Sequence, residues 1–359
     1  MVISSWLIVG YIFQFALDAA KRFTEYIIKR KMHGMNKKRY LDLVQGSIMG
    51  LAVGDALGVP AEFMSRESLL KDPVTGMRGG GVHGQPPGTW SDDTSMTVCT
   101  MESLVHGVDY DDQMKRFTEW MMNGAYSARD ELFDIGNSTK AAIFKYAHGY
   151  PPLECGGLTD NACGNGSLMR IMPTIFYLIG QNRGKGLLSL NDATARAIHD
   201  ASKLTHAHKT CLIACGIYAS VVFWLLRAGD PYDGCKIGIR DGLDYYRKDP
   251  EFTKEAVAFE RLTEIETLRE TEINSSGYVV HTLEAALWCA MNTGGYAECV
   301  LKAVNLGHDS DTTAAVAGGL AGLCYLERTI PIDWLGQLAK KAYLENCCLR
   351  FAHACWPDD

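Results

Sequence analysis

Two short segments rich in carboxylates and hydroxyls lie far apart in the chain, SDDT at residues 91–94 and DSDTT at 309–313. Each stands at the start of a predicted helix, because an apolar run with helical spacing follows it. Carboxylate and hydroxyl oxygens are the ligands that Mg²⁺ and Mn²⁺ prefer. If the two segments meet in space, they predict a divalent metal site and, with it, a metal-dependent hydrolase.

Each segment also has a simpler explanation as a helix cap, since Ser, Thr and Asp are preferred N-cap residues. A cap needs one side chain, whereas Asp92 and Asp93 place two mutually repelling carboxylates side by side. In the second segment, Asp309, Asp311 and Thr312 precede a helix of small residues that can pack closely, which would aim their oxygens into the protein. Buried carboxylates are unfavourable unless they are paired or bound to a metal.

Glu62 is a further candidate, because it follows the segment GDALGVPA at 54–61. The glycines of that segment permit close helix packing, and Pro60 favours a break in the helix. The Glu62 carboxyl is either an ordinary surface acid or a general acid/base whose pKa is set by burial and nearby cations.

Two glycine-rich segments, GGG at 79–81 and GNGS at 164–167, could present backbone N–H groups to an anion. A flexible loop explains the first equally well, and a turn with a helix cap explains the second. His206 and His208 are two residues apart, which does not place both on one helix face. Core or helix-end positions are therefore favoured over a metal-binding pair.

The chain has 359 residues, of which 47% are hydrophobic and 21% charged. This composition is typical of a globular protein with a large hydrophobic core. The formal net charge of −7 does not predict nucleic-acid binding. The 12 cysteines include no CxxC pair, which favours reduced core thiols and a cytoplasmic protein.

The first 39 residues differ from the rest, since they hold eight Lys or Arg against two Asp or Glu. Residues 6–17 are apolar apart from Gln14, but a membrane span needs about 20 apolar residues. Membrane association of residues 1–39 is therefore not favoured. The alternatives are a helix docked on the domain or on a partner, and an upstream start codon with Met35 near the natural beginning.

From residue 40 onward, apolar residues recur at intervals of three and four, and no alternating run indicates a sheet. Glycine clusters mark long connections between the predicted helices. The sequence thus predicts a compact, all-α, multi-helix single domain over residues 40–359, preceded by a hydrophobic and basic extension over residues 1–39.

Six ordered segments together resemble the ADP-ribosylglycohydrolase family. They are GSIMGLAVGDALGVPAEF (46–63), QPPGTWSDDTSM (85–96), DIGNSTKAA (134–142), GNGSLMRIMP (164–173), SSGYVVHTLEAALW (275–288) and NLGHDSDTTAAVAGGLAG (305–322). The resemblance implies an all-α fold around a central dinuclear site that binds two Mg²⁺, or Mn²⁺, per subunit.

The resemblance also implies roles for particular residues. The implied metal ligands are Ser91, Asp92, Asp93, Asp309, Asp311 and Thr312. Glu62 matches the acid that the family places beside the metals, and turnover is expected to depend on Glu62 and Asp93. The implied substrate-binding residues are Gly80, Gly81, Asn165, Gly166, Ser167, His206 and Tyr278.

The implied reaction is metal-dependent hydrolysis that removes ADP-ribose from a modified protein side chain, with arginine as the favoured linkage. Water would replace the side chain at the anomeric carbon of the ribose. One alternative is a two-metal nucleotide phosphohydrolase. The other is an immunity or binding protein that neutralises a cognate ADP-ribosylating toxin, with residues 1–39 as a plug.

Overall fold

The computed structural model describes residues 35–185, 188–228 and 230–357. Within these ranges the chain is helical and forms no β-strand, only three isolated bridges. The α-helices are α1 Lys37–Gly58, α2 Arg66–Lys71, α3 Asp92–Leu104, α4 Tyr110–Asn123, α5 Asn137–Ala147, α6 Met172–Gln181, α7 Asp192–Lys203, α8 Lys209–Leu225, α9 Pro231–Lys248, α10 Thr253–Ala256, α11 Val279–Met291, α12 Tyr296–Asn305, α13 Ser310–Tyr325, α14 Ile332–Gln337 and α15 Lys341–Cys355. The 3-10 helices are Val59–Ala61, Pro152–Glu154, Asp160–Ala162, Val257–Thr267, Glu270–Glu272 and Glu327–Thr329.

The all-α, single-domain prediction is confirmed by these helices, which pack around one hydrophobic core. Residues 1–34 lie outside the described part of the chain, and with them the predicted anchor, docking helix or plug. The boundary at residue 39 stays a prediction.

Helix α1 runs through the centre of the core. The Asn36 side-chain oxygen caps it by accepting a hydrogen bond from the Arg39 N–H at 2.9 Å. Every residue from Gly46 to Gly58 is buried. Residues 37–61 are long and apolar enough to cross a membrane by length and composition alone, but 94% of their most apolar window is buried inside the protein. A core helix of a globular fold has the same property.

The backbones of α1 and α13 touch along a row of glycines spaced four residues apart on α1. A Cβ added at Gly54 would lie 2.1 Å from the Ala314 carbonyl oxygen, and one at Gly58 would lie 2.2 Å from the Asp311 Cα. No real Cβ atom approaches that closely, so only glycine fits at these two positions. This contact brings the start of α13 against the end of α1, and thus Asp311 towards Asp55. The row on α1 comprises Gly46, Gly50, Gly54 and Gly58.

The turn that leads into α6 is held on its core side by Arg170, which is fully buried. Its Nη2 donates hydrogen bonds to the Ala201 carbonyl at 3.2 Å and the Thr205 hydroxyl at 2.7 Å. Its guanidinium also lies 4.8 Å from the centroid of the Phe117 ring. These contacts fix the turn at residues 164–167 against α7.

We expect Gly54→Ala to lower the free energy of unfolding by at least about 2 kcal/mol, because the methyl group must push the α1 and α13 backbones apart. Urea unfolding followed by circular dichroism measures this change. Gly336→Ala is the matched control, since a Cβ there meets no atom within 4 Å. Equal stability of the two variants would contradict the close-packing argument.

Candidate active site

Three aspartates from three helices meet in the buried centre of the protein. Asp55 comes from α1, Asp93 from α3 and Asp311 from α13, and one carboxylate oxygen of each lies within 4.8 Å of the others. All three side chains are at most 1% exposed. The structure thus brings together the two acidic segments, and it adds Asp55, which the sequence analysis did not propose as a site residue.

Asp55 is fixed by the start of α3. Its carboxylate accepts hydrogen bonds from the Ser91 N–H at 2.9 Å, the Thr94 N–H at 3.0 Å and the Thr94 hydroxyl at 2.6 Å. It therefore supplies the helix cap that α3 needs, while the Ser91 side chain makes no capping bond. Burial raises the pKa of Asp55 to about 6, and these hydrogen bonds oppose that rise.

A second carboxylate group shares Asp311 with the first. Glu62, Asp309 and Asp311 also place one oxygen each within 4.8 Å of the others. Asp309 is held in place by Asn165, whose Nδ2 donates to the Asp309 carboxylate at 2.6 Å and to the Thr282 hydroxyl at 2.9 Å. The two groups therefore form one continuous acidic cluster.

The hydrogen bonds of the Asp93 carboxylate indicate whether this cluster suits a cation. Its Oδ2 accepts bonds from the Ser91 hydroxyl at 3.0 Å and from the Thr312 hydroxyl at 3.4 Å. Its Oδ1 is buried and has no hydrogen-bond partner among the described residues. No described Lys or Arg forms an ion pair with the cluster aspartates. An unpaired buried carboxylate oxygen is unfavourable, and a divalent cation bound by oxygens would satisfy it.

The charges in the cluster repel one another. Burial, followed by the neighbouring carboxylates, raises the pKa of Asp93 and of Asp311 well above the ordinary value. Burial, Asp134, Asp309 and other carboxylates raise the pKa of Glu62 to about 9. The cluster therefore holds more negative charge than its own protein environment compensates, which favours a bound cation.

Glu62 stands at the edge of this cluster beside a histidine that the sequence analysis missed. His83 Nε2 lies 2.5 Å from Glu62 Oε2, and the imidazole packs 5.2 Å from the Phe133 ring. Asp134 completes a third group of close oxygen and nitrogen atoms with Glu62 and His83. The loop that carries His83 is held by Gly81, which has a φ of +67° and would clash with Pro60 if it had a Cβ.

A cavity of about 560 Å³ opens above the cluster. Its lining residues are Glu62, Phe63, Asp92, Asp134, Ile135, Gly136, Asn137, Ser138, Thr139, Gly164, Asn165, Gly166, Met169, His206, Ser276, Gly277, His308, Asp309 and Thr312. Helix α5 begins at this cavity and has no side-chain cap, so its first backbone N–H groups can bind an anion. The sequence analysis did not identify this helix start.

The predicted substrate residues divide into two sets. Asn165, Gly166 and His206 line the cavity. The lining does not include Gly80, Gly81, Ser167 or Tyr278. The Ser167 hydroxyl is fully buried and accepts a hydrogen bond from the Ser202 hydroxyl at 2.8 Å, so it supports the turn from behind.

His206 forms the back of the cavity. It is 2% exposed, its Nδ1 lies 2.8 Å from the Thr205 hydroxyl, and its ring would meet a Cβ at Gly166 at 2.7 Å. Burial and then the Arg170 guanidinium lower its pKa to about 3. His206 is therefore neutral, and it shapes the turn at residues 164–166.

A helical fold with a buried carboxylate cluster beneath a cavity that an uncapped helix start also lines is suited to hydrolysis assisted by divalent cations. The comparisons with known proteins make this class specific: the chain belongs to the ADP-ribosylglycohydrolase family, whose model matches residues 36–359. It is therefore a glycosidase that acts on ADP-ribosyl groups, and the resemblance noted in its sequence is confirmed.

Three similar proteins support this assignment. The chain is 30% identical over 315 residues to the ADP-ribosylarginine hydrolase Tri1 of Serratia proteamaculans (strain 568), with 85% of this chain and 78% of the relative covered. It is 28% identical over 308 residues to the ADP-ribosyl-[dinitrogen reductase] glycohydrolase of Rhodospirillum rubrum, with 85% and 92% covered. A solved structure described as an ADP-ribosylglycohydrolase-related protein complex superposes with a TM-score of 0.69 at 29% identity, covering 89% of this chain and 99% of that chain.

These relatives do not favour the alternative functions. Their names describe hydrolases of ADP-ribosyl groups, not nucleotide phosphohydrolases or immunity proteins. A cognate toxin partner finds no support in them.

We expect saturating Mn²⁺ or Mg²⁺ to raise the thermal unfolding midpoint of the wild-type protein, with a stabilisation of about 3 kcal/mol at 100 times the dissociation constant. Asp311→Asn should abolish this shift, because Asp311 belongs to both carboxylate groups. The metal-free variant should be no less stable than the metal-free wild type, since it removes one repelling charge. Differential scanning calorimetry measures both quantities, with the exposed Asp333→Asn as control. An undiminished shift in Asp311→Asn would contradict the proposed site.

We also expect His206 to make the fold sensitive to acid. Its pKa is about 3 in the folded protein against a reference value of 6.5, so the unfolded chain binds the proton first as pH falls. The free energy of unfolding should therefore decrease as pH falls from about 6.5 towards 3. Between pH 7 and pH 4.5, His206→Asn should lose about 3 kcal/mol less stability than the wild type. Urea unfolding at the two pH values measures the difference, and parallel pH profiles would contradict it.

Proposed function

We propose that this protein removes ADP-ribose from modified arginine side chains of proteins and that it requires divalent cations. The observation that carries the proposal is the buried acidic cluster, with its unpartnered Asp93 Oδ1, at the floor of a cavity with free backbone N–H groups on its wall. Arginine as the linked residue is supported by the name of the Serratia relative, an ADP-ribosylarginine hydrolase.

The ADP-ribose pyrophosphate is proposed to bind at the first turn of α5 and at the turn around Gly166. Helix N-termini attract phosphate through unpaired N–H groups and the helix dipole. The α5 start is uncapped, and both elements line the cavity. This binding mode would point the ribose down towards Glu62 and Asp309.

The proposed cation ligands are the cluster aspartates together with the hydroxyls beside them. They are Asp55, Ser91, Asp92, Asp93, Asp309, Asp311 and Thr312. Two ions are proposed, because the carboxylates form two groups that share Asp311; Glu62, the third member of the second group, is reserved for proton transfer and is not proposed as a ligand. When bound, such cations supply ribose orientation and a lowered pKa of a coordinated water.

Glu62 is the proposed general acid and base. Burial is the main cause of its raised pKa and acts also when neighbouring carboxylates bind cations, so the carboxyl can hold a proton for the departing guanidine nitrogen. Once it has given up that proton, the carboxylate can accept one from the attacking water, so that Glu62 ends the cycle protonated again. The contact with His83 Nε2 fixes the carboxyl group during both transfers.

Asp134 favours a cationic leaving group. Its carboxyl lines the cavity and lies close to Glu62 and His83. A linked guanidinium keeps N–H groups that match a carboxylate, whereas a glycosylated serine oxygen carries no hydrogen to donate. The Asp134 carboxylate thus supports arginine over serine linkage.

The predicted location remains cytoplasmic. All twelve cysteines are free in the structure and eleven are buried, which accords with a reducing compartment.

We expect release of free ADP-ribose from arginine-modified protein and much slower release from serine-modified protein, with no release in excess chelator. Chromatography of the released nucleotide measures this. Release from the serine-linked substrate alone would contradict the arginine assignment, and full activity in chelator would contradict the metal requirement.

We expect Glu62→Gln to lower kcat by about 10²–10⁴-fold, because the amide cannot transfer the proton. Asp93→Ala and Asp311→Ala should each abolish turnover. The matched control is Glu67→Gln, an exposed glutamate on the adjacent helix α2. Steady-state kinetics with the arginine-linked substrate measure the effects, and unchanged kcat in Glu62→Gln would exclude its proposed role.

A further inference from the structure

A cysteine, a histidine and an aspartate form a chain of contacts beside the cavity but outside the acidic cluster. Cys163 Sγ lies 3.0 Å from His208 Nδ1, and His208 Nε2 lies 3.3 Å from the Asp160 carboxylate. The Thr210 N–H donates to the same Nδ1 at 3.2 Å. Nδ1 therefore carries its lone pair, and Nε2 carries the proton that faces Asp160. In this arrangement His208 can accept the thiol proton of Cys163.

A second thiol, that of Cys211, contacts the backbone on both sides of Cys163. Cys211 Sγ is 3.6 Å from the Ala162 carbonyl and 3.5 Å from the Gly164 carbonyl, the two that flank Cys163. A hydrogen bond from the Cys211 thiol, when it turns from these carbonyls to the Cys163 sulfur, is the main cause that lowers the pKa of Cys163 to about 6, and the charge that His208 gains with the thiol proton lowers it further. The start of α8, which contains Cys211, adds the positive end of a helix dipole.

We propose that Cys163 is a modification site, a reactive thiol that hydrogen peroxide oxidises and that then forms a disulfide with Cys211. No cluster aspartate takes part, so the thiol chemistry does not depend on the proposed glycohydrolase function; only its expected effect on turnover rests on that function. Of the twelve cysteines, all in the described ranges, only Cys163 pairs with a histidine, and it retains 8% exposure. The partly exposed His208 and the fully exposed Asp160 carboxylate mark the path by which a small oxidant reaches it.

The chemistry balances in two steps. The Cys163 sulfur attacks one peroxide oxygen, the O–O bond breaks, and the departing hydroxide takes the thiol proton held by His208, which yields a sulfenic acid and water. The Cys211 sulfur then attacks the Cys163 sulfur. The S–S bond forms, the S–O bond breaks, and hydroxide leaves with the Cys211 proton as a second water. Two thiols are oxidised, and one peroxide is reduced to two waters.

The disulfide would act on the cavity wall. Cys163 directly precedes the turn that carries Asn165, the residue that holds Asp309. The Cys163 carbonyl also accepts the Val279 N–H at 3.0 Å, and the Asn165 N–H donates to the Gly277 carbonyl at 3.1 Å. A Cys163–Cys211 disulfide would join this turn covalently to α8, directly beside these contacts. Oxidation should therefore lower ADP-ribosyl turnover, and a dithiol reductant should restore it.

Alkylation of the full chain tests the reactive thiol. With limiting iodoacetamide, peptide mass spectrometry should show Cys163 labelled at least about tenfold faster than Cys324, the least buried cysteine, whose pKa burial raises to about 12. His208→Gln should slow labelling of Cys163 about tenfold and leave Cys324 unchanged. Equal labelling of the two cysteines in the wild type would overturn the proposal.

Peroxide treatment tests the disulfide. One equivalent should give the wild-type protein a cross-linked peptide pair containing Cys163 and Cys211, lost on reduction. Cys211→Ser should instead accumulate a sulfenic acid at Cys163 that dimedone traps, and Cys163→Ser should show neither product. A stable sulfenic or sulfinic acid at Cys163 of the wild type, without the cross-link, would overturn the pairing. So would peroxide inactivation that Cys163→Ser does not prevent.

Discussion

The contact between the α1 and α13 backbones is the constraint on which the rest of the structure depends. Two helices whose facing residues are glycine and alanine approach far more closely than helices with larger side chains. That approach places Asp55, one residue after Gly54, beside Asp311 at the start of α13. The site therefore requires the glycines, although none of their atoms performs chemistry.

Close packing also brings carboxylates that repel one another into the core, and hydrogen bonds from the surrounding residues stabilise them only in part. Three amide and hydroxyl donors at the start of α3 stabilise Asp55. Asp93 receives two hydroxyl bonds on one oxygen and none on the other. A protein selected only for stability would not keep such a group, since an apolar residue of similar size would fit without repulsion. The remaining imbalance is the property that would give the cluster its affinity for cations.

The sequence predicted the helices but only part of the candidate active site. Helical periodicity and the acidic helix starts predicted the all-α fold and the three helices that meet at the centre, but site residues on only two of them. Asp55 was missed because its segment was interpreted through its glycines, although a lone carboxylate in an apolar helix was an available signal. His83 and Asp134 lie in loops whose path depends on tertiary contacts, and no local pattern predicts that path. Ser167 matches a family segment, yet its hydroxyl faces the core.

The turn at residues 163–166 connects two kinds of chemistry through one short stretch of backbone. On one side, Asn165 holds Asp309 in the acidic cluster. On the other, Cys163 contacts His208 at the start of α8. Arg170 anchors the end of this turn, so Cys163 and Asn165 belong to one short segment that is held at both ends. A covalent change of a thiol that touches neither substrate nor metal can therefore reach the carboxylates on which hydrolysis is proposed to depend.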